Sequence, residues 1–511
     1  MSSVFQTLRK QLPINLLANF IGSGWSAILG LLVIPFYIQR LGVEAYGVIG
    51  FYIALQTTLQ ILDFGLSPTM SREMARYSIQ PDKAQEARNL VRTLEIGYWL
   101  LGVVIGCFIL GGAGLIAEKW LNAEHLSAET LKIATASIGV LVILQWPVSF
   151  YQSGLMGLQK QVLANTLLVI NSTLRHIGAV IVLWLFPPTL ITYFLWQIIV
   201  STFQISVITL ALWRSLPRGH QPDQFQFNLL RNIQGFALGM SGITLSSLIL
   251  TQADKIILSK TLSLEGYGYY MVASTVNNGL ALLVLPVFSF VFPRLSALAV
   301  LADDVKTALF YHRSEQTLTA CIFPIAGLLI FFPVEILWLW TGDLETAQMV
   351  APIVRPLILG SALNAAMTIP YALQLAHNWT RIVLAINVFF ILTLVPIIIW
   401  ASAAYGALGA AFVWAILNTV YIVIGVPLTH SRLLKGETKA WFLQDVLPVG
   451  LSVIAILIFA RALIPPPTSR WDNIGSLMIL GVITAGAAML SSQHFRTRLQ
   501  QIVFRRSEPT H

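Results

Sequence analysis

Apolar runs of about twenty residues recur along the whole of this chain, and only short polar breaks separate them. A run of that length is what an α-helix needs to cross the hydrocarbon core of a bilayer. Lipid offers no hydrogen-bond partner to open backbone, so a chain built this way must be helical or close into a barrel. A barrel would show alternating segments of about ten residues, and the sequence has none. The expectation is therefore an all-α polytopic membrane protein of about 14 transmembrane helices, the first near 13–39 and the last near 473–492. Composition agrees: 10% of the 511 residues are charged and 56% are hydrophobic, against about 25% charged in a soluble domain. The first apolar run is too long for a signal-peptide core, so no cleaved signal is expected. Cys107 and Cys321 both fall in apolar runs and are expected as small core residues rather than as a disulfide or a metal site.

One short motif occurs twice. Leu41-Gly42-Val43-Glu44-Ala45-Tyr46-Gly47 reappears as Leu262-Ser263-Leu264-Glu265-Gly266-Tyr267-Gly268, with Leu, Glu, Tyr and Gly all displaced by 221 residues. Each copy lies between two long apolar helices, and the second helix closes on a Pro and an Arg: Pro68 with Arg72, and Pro293 with Arg294. The matched context points to an internal duplication, and two homologous bundles in a membrane are a transporter design. The expected organisation is a six-helix bundle over 1–213, a cytoplasmic linker over 214–230, a second six-helix bundle over 231–431, and two further helices with a basic tail over 432–511.

Orientation follows from Lys and Arg. With the N-terminus in the cytoplasm, 22 of the 31 cations fall on the cytoplasmic side and 7 on the other, while Arg175 and Arg355 lie inside helices. That is the positive-inside bias, and it accounts for the net charge of +9 without any nucleic-acid partner. Both termini are then cytoplasmic. Gly22, Gly24, Gly30 and Pro35 in the first helix read either as close packing with an ordinary kink or as a bend between two transport states.

Over Asn15–Tyr77 the chain resembles the polysaccharide flippases (Wzx type) of the multidrug/oligosaccharidyl-lipid/polysaccharide exporter superfamily. The residues that carry the resemblance are Asn19-Phe20, Pro35-Phe36-Tyr37, Leu41-Gly42 with Tyr46-Gly47, and Asp63-Phe64-Gly65-Leu66 through Arg72 to Ala75-Arg76. Asp254-Lys255-Ile256-Ile257-Leu258 and Gly406-Ala407-Leu408-Gly409-Ala410-Ala411 are similar to later pieces of the same family. The resemblance implies two pseudo-symmetric six-helix bundles around a central cavity, with two extra C-terminal helices. It also implies movement of an undecaprenyl-diphosphate-linked oligosaccharide across the bacterial inner membrane. The partners it implies are that lipid-linked glycan, membrane lipids, and the polymerase and other proteins of polysaccharide assembly. Related flippases of peptidoglycan precursors carry arginines in helix 1. This chain has none between Leu12 and Gln39, which argues against that cargo.

Arg175 is the most informative single residue. An arginine at mid-membrane depth costs about 2.5–3.5 kcal/mol on insertion scales, so it must face a cavity or a partner. Its paired N–H donors suit a diphosphate; the plainer reading is a structural pair with backbone or a carboxylate. His176 points about 100° away around the helix and reads either as a satisfied polar core residue or as a ligand or proton contact. Arg355, between Pro352 and Pro356, lies at a depth similar to Glu335 on the preceding helix. The two are expected to pair, with substrate contact or snorkelling as the alternatives for Arg355. Asp63, Arg72 and Arg76 read as a capped helix end with interfacial arginines, or as a cytoplasmic latch whose counterpart in the second repeat is Arg294. Asp254 and Lys255 read as an outer gate or an interfacial charge pair.

No nucleotide loop, metal cluster or triad spacing is visible. No cofactor, metal or catalytic residue is therefore expected, and the chain reads as a transporter rather than an enzyme. Two other functions stay open. A cation-coupled drug exporter would favour a carboxylate in the cavity, and none is evident. A polysaccharide polymerase or ligase would need a sizeable outer loop carrying catalytic groups, and the longest such loop, 117–130, has no obvious paired carboxylates.

Overall fold

A computed structural model describes residues 2–497 apart from 64, 220, 302, 378, 467 and 473; over 2–17, 20, 61, 81, 230–244, 246–247 and 380–387 it describes the backbone alone. Phe64 and the tail arginines Arg498, Arg505 and Arg506 lie outside the described residues, as do the side chains of Arg231 and Arg381.

The described chain is helical, and its contacts divide it into two compact units, Met1–Gly268 and Tyr269–His511. The first holds α1 (Ser2–Leu41), α2 (Val43–Leu59), α3 (Leu66–Tyr77), α4 (Ala84–Gly111), α5 (Ala113–Lys119), α6 (Ala128–Gln145), α7 (Val148–Gly157), α8 (Gln161–Leu185), α9 (Leu190–Ser215), α10 (Phe227–Thr261) and the start of α11 (Leu264–Leu301). The second holds the rest of α11 with α12 (Asp304–Phe331), α13 (Pro333–Thr341), α14 (Leu344–Ala366), α15 (Thr368–Ala376), α16 (Thr380–Leu433), α17 (Thr438–Ala440), a π-helical turn over Trp441–Val446, α18 (Leu447–Leu463) and α19 (Ile474–Ser491). Among the described residues, 11 helical stretches are long and apolar enough to cross a membrane. The protein is a multi-pass membrane protein: side chains such as Phe108, 85% exposed on α4, have lipid as their natural surroundings. Gly406, at φ 60°, breaks α16 into two helices.

In the first unit α1 packs along α8. Asn165 donates to Asn19 at 2.5 Å and Ser172 to Ser26 at 3.0 Å, so both helices step seven residues between rungs and run parallel. Seven residues is two helical turns, which returns each rung to the same face. A core of Met70, Met74, Leu94, Phe150, Tyr151 and Leu212 ties α3, α4, α7 and α9 together. The polar linker after α9 lies along α4. Gln85, Asn89 and Thr93, four residues apart on one face, accept the backbone N–H groups of Gln221, Gln224 and Gln226 at 3.0, 3.0 and 2.9 Å, and Arg88 grips Asp223 at 2.7 and 2.9 Å.

The repeated motif meets itself. A Cβ on Gly47 would fall 2.4 Å from the Leu264 carbonyl oxygen, and one on Gly268 would fall 2.4 Å from that of Val43. Positions related by the 221-residue offset thus exchange the same contact, as an isologous two-fold contact does. Glu44 of the first copy is buried and accepts the N–H groups of Glu124, His125 and Leu126 at 2.6–3.1 Å, which fixes the loop after α5.

In the second unit α14 and α15 run beside the latter half of α16, with Ser361–Trp414 and Asn364–Asn418 as rungs from α14 at 3.0 and 2.8 Å and Gln374–Thr429 as a rung from α15 at 2.7 Å. The C-terminal helices α18 and α19 pack on α12 through Ala320, Val449, Val453, Leu457 and Leu480. Two expectations fail here. Cys107 and Cys321 are free and exposed rather than in the core: each sits on an open face of an apolar helix, where a thiol matches lipid as well as it matches a core. Glu335 does not meet Arg355. It pairs with Arg461 of α18, whose guanidinium also lies 5.3 Å from the Phe332 ring centroid, while Arg355 is exposed on α14. Packing α18 beside α12 and α13 brings Arg461 to the buried carboxylate first.

Candidate functional site

Helix α8 is mostly apolar on both sides of the polar stretch Asn171–His176, and Arg175 within it lies about 21 Å from the helix start. The guanidinium is half-buried and meets only neutral groups. Its Nη2 donates to Gln204 at 3.2 Å and Ser201 at 3.4 Å. With the Gln145 amide oxygen turned toward it, that oxygen accepts Arg175 at 2.5 and 2.6 Å and the Tyr52 hydroxyl at 2.9 Å. Tyr37 packs edge-on against Tyr193 at 5.3 Å close by. No carboxylate reaches Arg175 within ion-pair distance among the described residues. Amides and hydroxyls solvate a guanidinium without cancelling its charge, so this charge remains to act on a ligand. His176 faces α1 instead: Gly30 is its neighbour there, and its Nδ1 is buried without a hydrogen bond.

Gln145 joins Arg175 to a cavity of about 260 Å³. Gln56, Gln60, Asp63, Gln145 and Trp146 line it with hydroxyls from Ser67, Tyr98 and Ser149. With the Gln145 oxygen turned toward Arg175, the Gln145 amide nitrogen faces the Gln56 amide. Asp63 accepts from Ser67 N at 3.1 Å, Ser67 Oγ at 2.8 Å and the Tyr98 hydroxyl, so it caps the start of α3. Arg72 and Arg76 are brought together on Glu73, at 2.7 and 3.0 Å, and not on Asp63. Lys255 pairs with its neighbour Asp254 at 3.2 Å and donates to the Thr251 carbonyl at 2.8 Å. Arg294 lies in the second unit over the Phe310 ring, 5.1 Å from its centroid.

The one set of metal-type ligands among the described residues is Glu124, His125 and Glu265, whose ligand atoms lie within 4.8 Å of one another. Carboxylates often gather at a surface without a metal, and nothing else there points to one.

Comparison with known proteins places this geometry. The sequence profile of the family described as Polysaccharide biosynthesis protein matches residues 14–299, more than half of the chain. The chain belongs to the polysaccharide biosynthesis protein family. A similar family relative is a putative O-antigen transporter of Shigella flexneri, 21% identical over 405 residues, covering 79% of this chain and 94% of that one. Solved structures with this fold include the lipid II flippase MurJ in an inward closed conformation, at TM-score 0.68 and 14% identity over 93% of this chain and 98% of that chain. They also include an inward-facing multidrug resistance MATE family transporter of the MOP superfamily, at TM-score 0.65 and 16% identity over 80% and 94%. This polysaccharide biosynthesis protein therefore shares the fold of these two solved structures.

Sequence reasoning missed two polar groupings in this family member. Gln56, Gln145 and Gln204 each interrupt an apolar helix, which is a signal in the sequence, but an uncharged amide stands out less than a cation does. In the second unit Gln316 of α12 donates to Asp445 at 2.7 Å, and its oxygen accepts Ser492 Oγ and His494 N at 3.0 and 2.8 Å. His312 bridges Asp445 at 2.5 Å and Glu437 at 3.2 Å. Glu315 is wholly buried beside this network.

Proposed function

We propose that the protein is a flippase that carries an undecaprenyl-diphosphate-linked oligosaccharide, a polysaccharide repeat unit, from the cytoplasmic to the outer leaflet of the bacterial inner membrane by alternating access. Both termini lie in the cytoplasm in this reading, and the bundles over 1–213 and 231–431 are the parts that move. Arg175 attends the diphosphate, the sugars follow a polar route, and the prenyl tail stays in lipid. Polymerase and other assembly proteins take the cargo on the far side.

One observation carries the reading: a member of the polysaccharide biosynthesis family, similar along most of its length to an O-antigen transporter, holds an intramembrane arginine whose partners are all neutral. The adjoining cavity supports it, because three amides, several hydroxyls and an indole are groups that handle sugar hydroxyls and pyranose faces, while the carboxylate that the sequence did not place in a cavity, Asp63, is held by Ser67 and the Tyr98 hydroxyl.

The test is accumulation of lipid-linked oligosaccharide on the cytoplasmic leaflet of a deletion strain, complemented at equal membrane levels by wild type, Arg175→Lys or Arg175→Ala. The reading expects accumulation in the deletion, relief by wild type, partial relief by Lys and none by Ala. A deletion strain that accumulates nothing overturns the flippase reading and favours drug export. Accumulation that Arg175→Ala relieves fully keeps the function and removes Arg175 from it.

A further inference from the structure

A second cavity, of about 320 Å³, lies in the second unit, far along the sequence from Arg175. Arg294 at the end of the apolar part of α11 and Arg313, Ser314 and Thr317 on α12 line it, together with His494 just after α19. Val287, Phe290 and Val291 line the rest, and Phe290 is 63% exposed on the apolar side. Both arginines are exposed, and neither forms an ion pair among the described residues. Arg294 instead lies over the Phe310 ring, which holds the guanidinium plane in place while leaving its charge unspent.

Each part of this lining has a chemical meaning. Two guanidiniums offer paired N–H donors that match phosphate oxygens; the Ser314 and Thr317 hydroxyls, whose O–H groups donate to the Phe310 and Arg313 carbonyl oxygens at 2.7 Å, keep the wall beside them polar. A soluble anion would need nothing more. The apolar wall lies one to two turns before Arg294 on the same helix, so the polar end of the cavity opens next to a surface made for hydrocarbon. Basic pockets between membrane helices at the cytoplasmic side suit lipid headgroups, and Arg294 and Arg313 are among the cations that the sequence assigns to that side.

We propose that the cavity lined by Arg294, Arg313, Ser314 and Thr317 binds the phosphate headgroup of an anionic lipid in the cytoplasmic leaflet. Phosphate oxygens meet the guanidiniums, and the first carbons of the tail lie on Val287, Phe290 and Val291. The phosphate has two possible sources, a bilayer phospholipid or a prenyl diphosphate. Only the second rests on the transport reading.

The test is native mass spectrometry of the full chain in detergent, titrated separately with phosphatidylglycerol, undecaprenyl diphosphate and uncharged diacylglycerol. Wild type is compared with Arg294→Gln/Arg313→Gln, Arg294→Lys/Arg313→Lys, and the control Arg432→Gln. The site predicts that wild type and Arg432→Gln hold at least one phosphate lipid in preference to diacylglycerol. The Gln pair loses that binding by roughly tenfold or more, and the Lys pair loses less. Selective loss of phosphatidylglycerol identifies a resident bilayer lipid; selective loss of undecaprenyl diphosphate identifies a place where cargo is taken up. Equal binding by wild type and the Gln pair, or no preference over diacylglycerol, overturns the site. Because both side chains are exposed, the Gln pair is expected to elute as wild type does on size exclusion.

Discussion

Gly47 lies against the carbonyl oxygen of Leu264 with no room for a side chain between them. The approach is backbone to backbone, so a methyl group cannot be accommodated by turning a rotamer. Gly268 and Val43 repeat the arrangement. Gly47→Ala and Gly268→Ala are therefore each expected to destabilise the purified protein by about 1–3 kcal/mol, and by similar amounts. Gly24→Ala, with open space around its Cβ, is expected to be neutral or slightly stabilising. Thermal unfolding in detergent measures all three; unequal losses at 47 and 268 would contradict the two-fold relation.

The charge on Arg175 can be cancelled without touching it. Gln145→Glu keeps the size of the side chain and places a carboxylate where the amide oxygen now accepts two guanidinium N–H groups. If the free charge is what acts on the cargo, this variant should accumulate lipid-linked oligosaccharide as severely as Arg175→Ala. Gln204→Ala, which removes one acceptor at 3.2 Å, should be milder. Full transport by Gln145→Glu would show that the guanidinium serves packing.

Glu335 and Arg461 should be energetically coupled. Removing either partner from a fully buried pair costs about 3–5 kcal/mol, but the Arg461 side chain is 41% exposed, so about 1–3 kcal/mol is the expectation for Arg461→Ala. A double-mutant cycle of Glu335→Gln with Arg461→Ala should return a coupling near 1 kcal/mol, and the same cycle with Arg355→Ala a coupling near zero. Equal couplings would show that Arg355 shares the carboxylate.

The linker on α4 should be protected from solvent exchange. Asn89→Ala removes the acceptor of the Gln224 N–H, and Arg88→Ala releases Asp223. Hydrogen–deuterium exchange over 221–226 is expected to rise by roughly tenfold in either variant, the effect of losing about 1–2 kcal/mol of local protection. Exchange elsewhere in α4 should hardly change, since its helix bonds remain.

Much of the fold was legible because lipid leaves so few choices. Long apolar runs must be helices, and a charge inside one, such as Arg175, stands out against its surroundings. The pairing of Glu335 was not legible. Its partner lies 126 residues away on a C-terminal helix, and helical period and depth say nothing about which neighbour packs beside it. Arg355 at the right depth was the plausible partner, but its face of α14 turns outward. The site was half legible for a related reason. Sequence picks out the cation readily, but the groups that hold it are amides and hydroxyls on α2, α6 and α9, and only tertiary packing gathers them around α8. The latch groups divide similarly: adjacency brings Asp254 and Lys255 together, whereas Arg72 and Arg76 meet on Glu73, a nearer carboxylate than Asp63.

The strap along α4 is read by its main chain. Gln221, Gln224 and Gln226 offer backbone N–H groups, which any residue but proline supplies, whereas their acceptors are the side chains of Gln85, Asn89 and Thr93. Selection on this contact should therefore fall on the helix and not on the segment it holds. Across related chains the linker is free to drift in sequence, with proline excluded at the places of 221, 224 and 226, while three positions four apart on the helix keep an oxygen within reach. A region that looks unconstrained in an alignment would then still be a fixed part of the molecule.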